Sequence, residues 1–215
     1  MKSYVVVGLG RFGMEVAQQL SRLGCEVLAM DLKSELVQQV ANEVTHAVVA
    51  DSRDKEVLRT LGVGEFDCAI IAIGDDLAAS VLATMNMKEL GVPYLVCKAY
   101  DETHRHVLEK LGADRVVIPE KENAGRLAKS LSSPNLLDYI ELSEDYGIVE
   151  IPAPKSWMGK NFKELNVRAK LGLNILAVRH NREMNISPSA DYQIQESDIL
   201  VMLGDSHALE TVQKL

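Results

Sequence analysis

The sequence is poor in the residues that mark several classes of protein. It has three cysteines, Cys25, Cys68 and Cys97, which are far apart and lie in apolar stretches. A disulfide framework or a zinc site needs close cysteine pairs or histidines at ligand spacing, so we expect buried thiols in a reducing compartment. His104 and His106 are two residues apart on a predicted helix, where their side chains diverge. They make a poor metal-binding pair.

Long hydrophobic runs and a surplus of positive charge are also missing. The longest apolar runs, such as Cys68–Ile73, end well before the roughly 18 residues that a membrane-spanning helix needs. The formal net charge is −8, whereas nucleic-acid binding usually requires a basic surface. The N-terminus enters an apolar strand at once, without the features of a signal peptide. We therefore expect a cytoplasmic protein that binds no nucleic acid and reaches a membrane only through a partner.

Over residues 4–118, short β-branched runs alternate with helical stretches. Several predicted strands are continuous apolar runs, as expected for parallel strands that are covered on both faces. Six strands alternating with helices predict an α/β fold with a Rossmann-like, doubly wound parallel sheet. The strands are expected at Tyr4–Val7, Glu26–Met30, Ala47–Ala50, Cys68–Ile73, Tyr94–Cys97 and Arg115–Ile118, and the helices at Phe12–Leu23, Ser34–Val44, Lys55–Leu61, Leu77–Leu90 and Thr103–Leu111.

The pattern changes after residue 118. A helix is predicted at Lys121–Leu131, and the Ser-Ser-Pro-Asn run that follows it indicates a boundary. We expect a Rossmann domain over residues 1–133 and a small α+β domain over residues 134–215. In the second domain, strands are expected at Leu136–Leu142, Gly147–Ile151, Asn174–Arg179, Met184–Ser187 and Ile199–Leu203, with helices at Asn161–Val167 and Ser206–Lys214.

A Gly-x-Gly-x-x-Gly motif follows the first predicted strand and opens the first predicted helix. Gly8 permits a tight turn, Gly10 lets the backbone approach a pyrophosphate, and Gly13 lets the helix pack close to the strand. The N–H groups and the dipole of that helix favour phosphate binding. Asp31, about 20 residues further on, ends the second strand and can accept hydrogen bonds from both ribose hydroxyls. Strand, glycines, helix and acid together predict a nucleotide site.

Other residues bear on which nucleotide binds. The carboxylate of Asp31 would repel a 2′-phosphate, which disfavours NADP. Arg11 lies inside the glycine loop, where its guanidinium could reach an extra terminal phosphate. This favours ATP or ADP over NAD, although a solvated arginine explains position 11 equally well. Asp51, at the end of the third strand, is placed either to touch the adenine edge or to cap the next helix. Phe12 and Ser52 complete the predicted site.

The sequence offers little evidence for catalysis. A hydride-transfer enzyme needs an acid–base group and a substrate clamp beside the nicotinamide. About 100 residues follow position 118, with His180 and His207 as their histidines, and neither can be placed near the carboxyl ends of the predicted strands. A nucleotide sensor that is not an enzyme is therefore favoured. An NAD-dependent oxidoreductase is the alternative.

Several segments in the same order resemble the RCK or KTN domain family, especially the KtrA/TrkA type of cytosolic regulatory subunit in potassium uptake. The resemblance covers nearly the whole chain. The segments that carry it are Gly8–Gly13, Asp31, Lys98-Ala99, residues 108–114, Pro119-Glu120, and, as in an RCK_C (TrkA_C) domain, residues 165–168 and 175–177.

The resemblance implies a homodimer that assembles into an octameric ring on a potassium-translocating membrane subunit. ATP and ADP are expected to stabilise different ring shapes and thereby to gate a transporter or channel. In this family pattern Arg11 senses the γ-phosphate, and Glu120 lies near the terminal phosphates, where it can bind a monovalent or divalent cation. Lys98 is either a third candidate at the terminal phosphate or the polar end of a strand.

The resemblance also suggests a second ligand. In several relatives the C-terminal domain binds cyclic di-AMP between two subunits, which inactivates transport. Phe162, Arg168, Asn174 and Ile175 are candidates for such a site, with an apolar surface for the bases and Arg168 at a phosphate. A core position for Phe162 and a surface ion pair for Arg168 explain these residues as well.

Overall fold

The computed structural model describes residues 2–132, 135–143, 145–213 and 215. Contacts divide the chain into two compact units, Met1–Glu120 and Lys121–Leu215. The boundary expected between residues 133 and 134 lies outside the described residues. Among the helices of the described part, none combines the length and the apolar character that crossing a bilayer requires.

The first unit is a six-stranded parallel sheet with interleaved helices, as the sequence predicted. The strand order is β3-β2-β1-β4-β5-β6, so the direction of winding reverses between β1 and β4. The strands are β1 (Ser3–Val7), β2 (Glu26–Asp31), β3 (His46–Val49), β4 (Cys68–Ile71), β5 (Leu95–Lys98) and β6 (Arg115–Val117). The helices are α1 (Arg11–Arg22), α2 (Ser34–Val40), α3 (Lys55–Thr60), α4 (Leu77–Glu89) and α5 (Glu102–Lys110).

Burial on both faces explains the unbroken apolar runs of the central strands. In β1, Val5 and Val7 pack into one apolar cluster, whereas Val6 packs into a second cluster on the other face. Ala69 and Ile71 of β4 likewise join the first cluster, and its remaining residues join the second. Each fully buried valine or isoleucine contributes roughly 1.5–3 kcal/mol to folding. The sheet is therefore a rigid support for the loops at its carboxyl edge.

Aspartates cap three of the helices. Asp101 accepts a hydrogen bond from the backbone N–H of His104 at 2.7 Å, and Asp76 accepts one from Ala79. Helix α3 is capped by Asp54 through the N–H groups of its first turn. The alternative role for Asp51, as the cap of this helix, is therefore wrong.

Two of the three cysteines are buried as expected, and one is not. Cys68 and Cys97 are buried, and burial raises the pKa of each thiol to about 11. Cys25 is only partly buried, because it lies in the turn between α1 and β2. The expectation of a buried thiol is thus wrong at this position.

The second unit is an antiparallel sheet with short helices. After α6 (Pro119–Ser132), the strand order is β10-β9-β11-β8-β7. One face of the sheet packs on an apolar core that includes Trp157. The strands are β7 (Asp138–Glu141), β8 (Tyr146–Pro152), β9 (Asn174–His180), β10 (Glu183–Asn185) and β11 (Asp198–Asp205), and the helices are α7 (Phe162–Leu165), α8 (Val167–Leu171) and α9 (Ser206–Gln213).

Two helix predictions need correction. The helix predicted at Ser34–Val44 ends at Val40. The helix predicted at Asn161–Val167 is two short helices, α7 and α8, because Asn166 between them has a φ of 46° in the left-handed region. The end of the last predicted helix, Lys214, lies outside the described residues.

Candidate nucleotide-binding site

A cavity of about 390 Å³ opens at the carboxyl ends of the parallel strands. Residues from the ends of five strands, β1 to β5, line it. Of the residues predicted for the nucleotide site, all but Gly13 line this cavity: Gly8, Gly10, Arg11, Phe12, Asp31, Asp51, Ser52, Lys98 and Glu120. The structure therefore brings together residues that are up to 112 positions apart in the sequence.

The glycine loop forms the centre of the cavity wall, and its glycines differ in what they contribute. Gly8 has a φ of +89°, which side chains rarely allow. A Cβ on Gly13 would lie 1.8 Å from the carbonyl oxygen of Gly8, so only glycine lets α1 begin this close to β1. A Cβ on Gly10 would meet no atom within 4 Å. Gly10 therefore keeps open space at the amino end of α1, where a phosphate can approach the N–H groups.

Asp31 is held against the glycine loop. Its Oδ2 accepts a hydrogen bond from the N–H of Leu9 at 2.6 Å, and its Oδ1 accepts one from the N–H of Lys33 at 2.8 Å. Each carboxylate oxygen has two lone pairs, so both oxygens can still accept a ribose hydroxyl. The sequence predicted the position of this acid but not its bond to the glycine loop.

At one end of the cavity, Asp51 is paired with a residue that the sequence analysis missed. Oδ1 of Asp51 accepts hydrogen bonds at 2.9 Å from both the backbone N–H and the Nε of Arg53, and its Oδ2 accepts one from a terminal guanidinium nitrogen at 2.7 Å. The side-chain hydrogen bond from Arg53 lowers the pKa of Asp51. An acid and an arginine two residues apart after a strand are the signal that could have indicated this pair.

The charged side chains of Arg11, Lys98 and Glu120 lie at the opposite end of the cavity. Nζ of Lys98, at the end of β5, lies 2.7 Å from Oε1 of Glu120 in the first turn of α6. The hydrogen bond from Lys98 lowers the pKa of Glu120, and the charge of Arg11 acts in the same direction. The Lys98 side chain is 15% exposed and the Glu120 side chain 63% exposed. The sequence predicted all three residues here, but not that Lys98 and Glu120 form an ion pair.

Glu120 is the residue that the family resemblance assigns to a cation. Among the residues that the structure describes, no group of three or more histidine, cysteine, aspartate or glutamate side chains could hold a metal ion. A Mg²⁺ ion commonly takes one or two protein carboxylates and completes its shell with nucleotide phosphates and water. Glu120 fits such a role only if bound phosphates supply further oxygens.

The C-terminal candidates do not share one environment. Phe162 is half-buried and stacks on Tyr192, with ring centroids 5.7 Å apart, and Ile175 packs against the same core. Arg168 and Asn174 are exposed. The core position of Phe162 agrees with the simpler of its two predicted roles.

The histidines of the second unit lie in α9 and at the end of β9. His207 is exposed on α9. Nδ1 of His180 lies 2.7 Å from Oδ1 of the buried Asp198. This carboxylate also accepts hydrogen bonds from the hydroxyl of Tyr192 and the N–H of Gln195, so His180 is part of a network that holds the end of the sheet.

Comparisons with known proteins agree with the order of the motifs. The family model of the TrkA-N domain matches residues 4–119, and that of the TrkA-C domain matches residues 147–215. The chain is 42% identical over 213 residues to the Ktr system potassium uptake protein C of Bacillus subtilis, covering 99% of this chain and 96% of that protein. It is 44% identical over 203 residues to the Ktr system potassium uptake protein A of the same organism, covering 94% and 91%.

Solved structures confirm the fold. The GsuK RCK domain has a TM-score of 0.69 and 19% identity, covering all of this chain and 47% of that one. The GsuK channel bound to NAD has a TM-score of 0.69 and 18% identity, covering 99% of this chain and 39% of that one. The chain therefore spans less than half the length of these structures. With its TrkA-N and TrkA-C domains, this chain belongs to the RCK family of potassium-transport proteins and, within it, to the KtrA/TrkA type.

Proposed function

We propose that this protein is a regulatory subunit that senses ATP and ADP and gates a potassium transporter or channel. The observation that carries this proposal is the cluster of Arg11, Lys98 and Glu120 at one end of the cavity. The names of its relatives support the link to potassium uptake. The role is one of binding and conformational change, without catalysis.

The strand order gives a direction for the nucleotide along the cavity. The glycine loop follows β1 and suits the pyrophosphate, while Asp31 ends the neighbouring β2 and suits the ribose. Beyond β2 lies β3, whose loop with Asp51 and Ser52 would then meet the adenine. On the other side of β1, Lys98 ends β5, so the terminal phosphate points toward Lys98.

Only the phosphate end can distinguish ATP from ADP, because the two nucleotides share every other group. A ligand shifts a conformational equilibrium only by its different affinities for the two states. The γ-phosphate would enter beside Glu120 and compete with this carboxylate for Lys98 and Arg11. A cation bound between Glu120 and the phosphate oxygens would relieve that repulsion. A monovalent or divalent cation is therefore part of the proposal.

The assembly proposed is a homodimer that forms an octameric ring on the cytoplasmic face of a membrane subunit. It rests on the family resemblance and on the potassium uptake relatives. In this scheme ATP stabilises the active ring shape and ADP the other. A channel that shares this fold is described as bound to NAD, so NAD belongs in any test of the ligand.

Paired titrations of ATP and ADP into wild type and Arg11→Ala test the sensing role. ATP differs from ADP only in its γ-phosphate, so Arg11→Ala should weaken the binding of ATP by roughly 1.5–3 kcal/mol. ADP affinity should stay nearly intact. Asp31→Ala is the matched control, since it should weaken the binding of ATP, ADP and NAD alike. Isothermal calorimetry gives all these affinities.

Two results would count against the proposal. Equal losses of ATP and ADP in Arg11→Ala would make Arg11 a general phosphate contact. Tight binding of NAD and NADH with turnover of a substrate would favour the oxidoreductase. Transport assays with the membrane partner complete the test, because Arg11→Ala should abolish activation by ATP while the ring still assembles.

We also propose that the C-terminal unit binds cyclic di-AMP between two subunits. The exposed Arg168 and Asn174, close in sequence to the partly buried Ile175, support this second site. Trp157 is the single tryptophan of the chain and is buried in the core of this unit, so its fluorescence can report binding. Arg168→Ala should abolish the response, whereas Arg182→Ala, at another exposed arginine of the unit, should not. Absence of binding at micromolar cyclic di-AMP would contradict the proposal.

A further inference from the structure

We propose that Arg53 is a positioning residue for recognition of the base, because it holds Asp51 as a charged acceptor for the exocyclic amine of adenine. The inference rests on the proposed binding of adenine nucleotides in this cavity. It assigns to the Asp51–Arg53 pair the discrimination between adenine and purines with a carbonyl at C6. Such purines include hypoxanthine and guanine.

The pair has a geometry that fixes the carboxylate of Asp51. Arg53 donates from its backbone N–H, from Nε and from a terminal nitrogen, so three donors of one residue orient a single side chain. Arginine is suited to this role because its planar fork matches the two oxygens of a carboxylate. The Asp51 side chain is 34% exposed and lines the cavity.

The loop that carries the pair is fixed by contacts on two sides. Nδ2 of Asn86, on α4, donates to the carbonyl oxygens of Ser52 at 3.1 Å and of Arg53 at 3.0 Å. The N–H of Ala50 donates to the carbonyl oxygen of Asp31 at 3.1 Å. The last contact ties this loop to the ribose-binding acid. The position of Asp51 relative to a bound ribose is therefore set by the backbone.

The chemistry of the pair favours a donor on the ligand. Oδ1 of Asp51 accepts hydrogen bonds from the backbone N–H and from Nε of Arg53. Oδ2 accepts a short bond from the terminal nitrogen and shares the Nε donor with Oδ1 at a longer distance of 3.1 Å. Three donors of Arg53 thus face the four lone-pair positions of the carboxylate, which leaves room for one more hydrogen bond at Oδ2. Adenine presents an amino donor at C6, and guanine and hypoxanthine present a carbonyl acceptor there. At Oδ2 the carbonyl would face an ionised acceptor and could not donate a hydrogen bond to it.

Without Arg53, this selection should weaken. The Asp51 side chain would be free to change its rotamer, and its pKa would return toward the ordinary range. A movable carboxylate could turn away from a C6 carbonyl at little cost. The binding of phosphate and ribose groups would be unaffected, because their contacts lie at other strands.

Calorimetric titration of ATP and of inosine triphosphate tests the role of Arg53, since these ligands differ only at C6 of the base and in the adjacent ring nitrogen. Wild type should bind ATP at least about tenfold more tightly than inosine triphosphate. Arg53→Ala should reduce this ratio to about threefold or less, mainly by improving the relative affinity of inosine triphosphate. Arg53→Lys keeps the charge without the fork and should give an intermediate ratio.

The chain offers a matched control and a test of whether Arg53 acts through Asp51. Arg59 is an exposed arginine on the adjacent α3 that pairs with Glu56, and Arg59→Ala should keep the wild-type ratio. Asp51→Asn should lower the ratio as much as Arg53→Ala does. If Arg53 acts through Asp51, the double variant should show no further loss.

The outcomes separate the inference from the function on which it rests. Failure of wild type to bind ATP, ADP or NAD would overturn the proposed nucleotide site and this inference with it. Binding of ATP without discrimination against inosine triphosphate would overturn the inference alone. The inference also fails if Arg53→Ala keeps the wild-type ratio, if it weakens both ligands equally, or if its effect adds to that of Asp51→Asn.

Discussion

Each end of the cavity carries a carboxylate paired with a basic side chain, but in the proposed binding mode the two pairs would meet different ligand groups. Asp51 and Arg53 lie at the proposed base end, and Glu120 and Lys98 lie at the proposed phosphate end. An adenine brings an uncharged donor to its pair, so the ligand and Arg53 can both bind Asp51. A γ-phosphate brings an anion, so the ligand and Glu120 must compete for Lys98.

This difference assigns recognition and response to separate ends. The base end keeps the same charge whichever adenine nucleotide binds, and it can contribute equally to all of them. At the phosphate end the electrostatic balance changes with the number of phosphates, because Glu120 is 63% exposed and can move away from Lys98. A conformational response to ATP over ADP can arise only where the two ligands differ.

The glycine loop joins the two ends, and breaking it should have the largest effect. Gly13→Ala should destabilise the protein by about 3 kcal/mol or more, because its Cβ would meet the carbonyl oxygen of Gly8 at 1.8 Å. Gly10→Ala should leave stability nearly unchanged, because its Cβ meets no atom within 4 Å. Its methyl group would instead occupy the space proposed for the pyrophosphate.

Chemical denaturation and nucleotide titration of the two alanine variants distinguish these effects. Gly10→Ala should lose at least about tenfold in affinity for ATP and ADP alike, which corresponds to about 1.4 kcal/mol. If Gly10→Ala binds both nucleotides normally, the pyrophosphate does not lie over the glycine loop. If Gly13→Ala is as stable as wild type, the close contact between α1 and β1 does not constrain position 13.

Glu120→Gln tests the phosphate end, because its effect on ATP affinity should have opposite signs with and without a divalent cation. Without divalent cations, loss of the competing charge should strengthen ATP binding by about 1 kcal/mol, whereas ADP should change less. With Mg²⁺ present, the variant should lose a ligand of the proposed cation and bind ATP more weakly than wild type. Titrations in chelated and in Mg²⁺-containing buffer measure both effects.

Asp51→Asn is the control from the other end of the cavity. Its effect on ATP affinity should be the same with and without Mg²⁺, because no phosphate is expected at the base end. A loss of ATP affinity in Glu120→Gln that does not depend on the cation would contradict the competition between Glu120 and the γ-phosphate.

The two ends also differ in how far the sequence could predict them. The glycine motif and Asp31 were predictable, because a phosphate loop and a ribose acid demand particular residues at particular spacings. Lys98 and Glu120 were found only through the family resemblance and the need for charge at a terminal phosphate. Their ion pair joins residues 22 positions apart, and no local pattern encodes such a contact.

Arg53 was missed because its proposed role acts through a neighbour. Its pair with Asp51 is local, but the anchor of the loop is Asn86, 33 residues further along the chain. The sheet of the first unit was predictable from buried, unbroken apolar runs. In the second unit Asn166 ends one helix and precedes another through a left-handed conformation, which asparagine permits but does not require.

The smallest predicted effect is the contribution of the two ion pairs to folding stability in the absence of nucleotide. The hydrogen bond from Lys98 lowers the pKa of Glu120, so the ionised carboxylate stabilises the folded state. This contribution is complete above the unfolded pKa of about 4.3 and is lost as the pH falls through the lowered folded pKa. Because the Glu120 side chain is mostly exposed, it amounts to less than about 1 kcal/mol.

Denaturation of wild type and Glu120→Gln between pH 7 and pH 3 measures this contribution. Wild type should be slightly more stable above about pH 5, and the difference should shrink toward zero as Glu120 becomes protonated. Asp51→Asn should follow the same course, because Arg53 lowers the pKa of Asp51. A difference that grows toward low pH would contradict the direction of both shifts. If both pairs contribute so little to the folded state, large effects of these variants on nucleotide binding must come from contacts with the ligand.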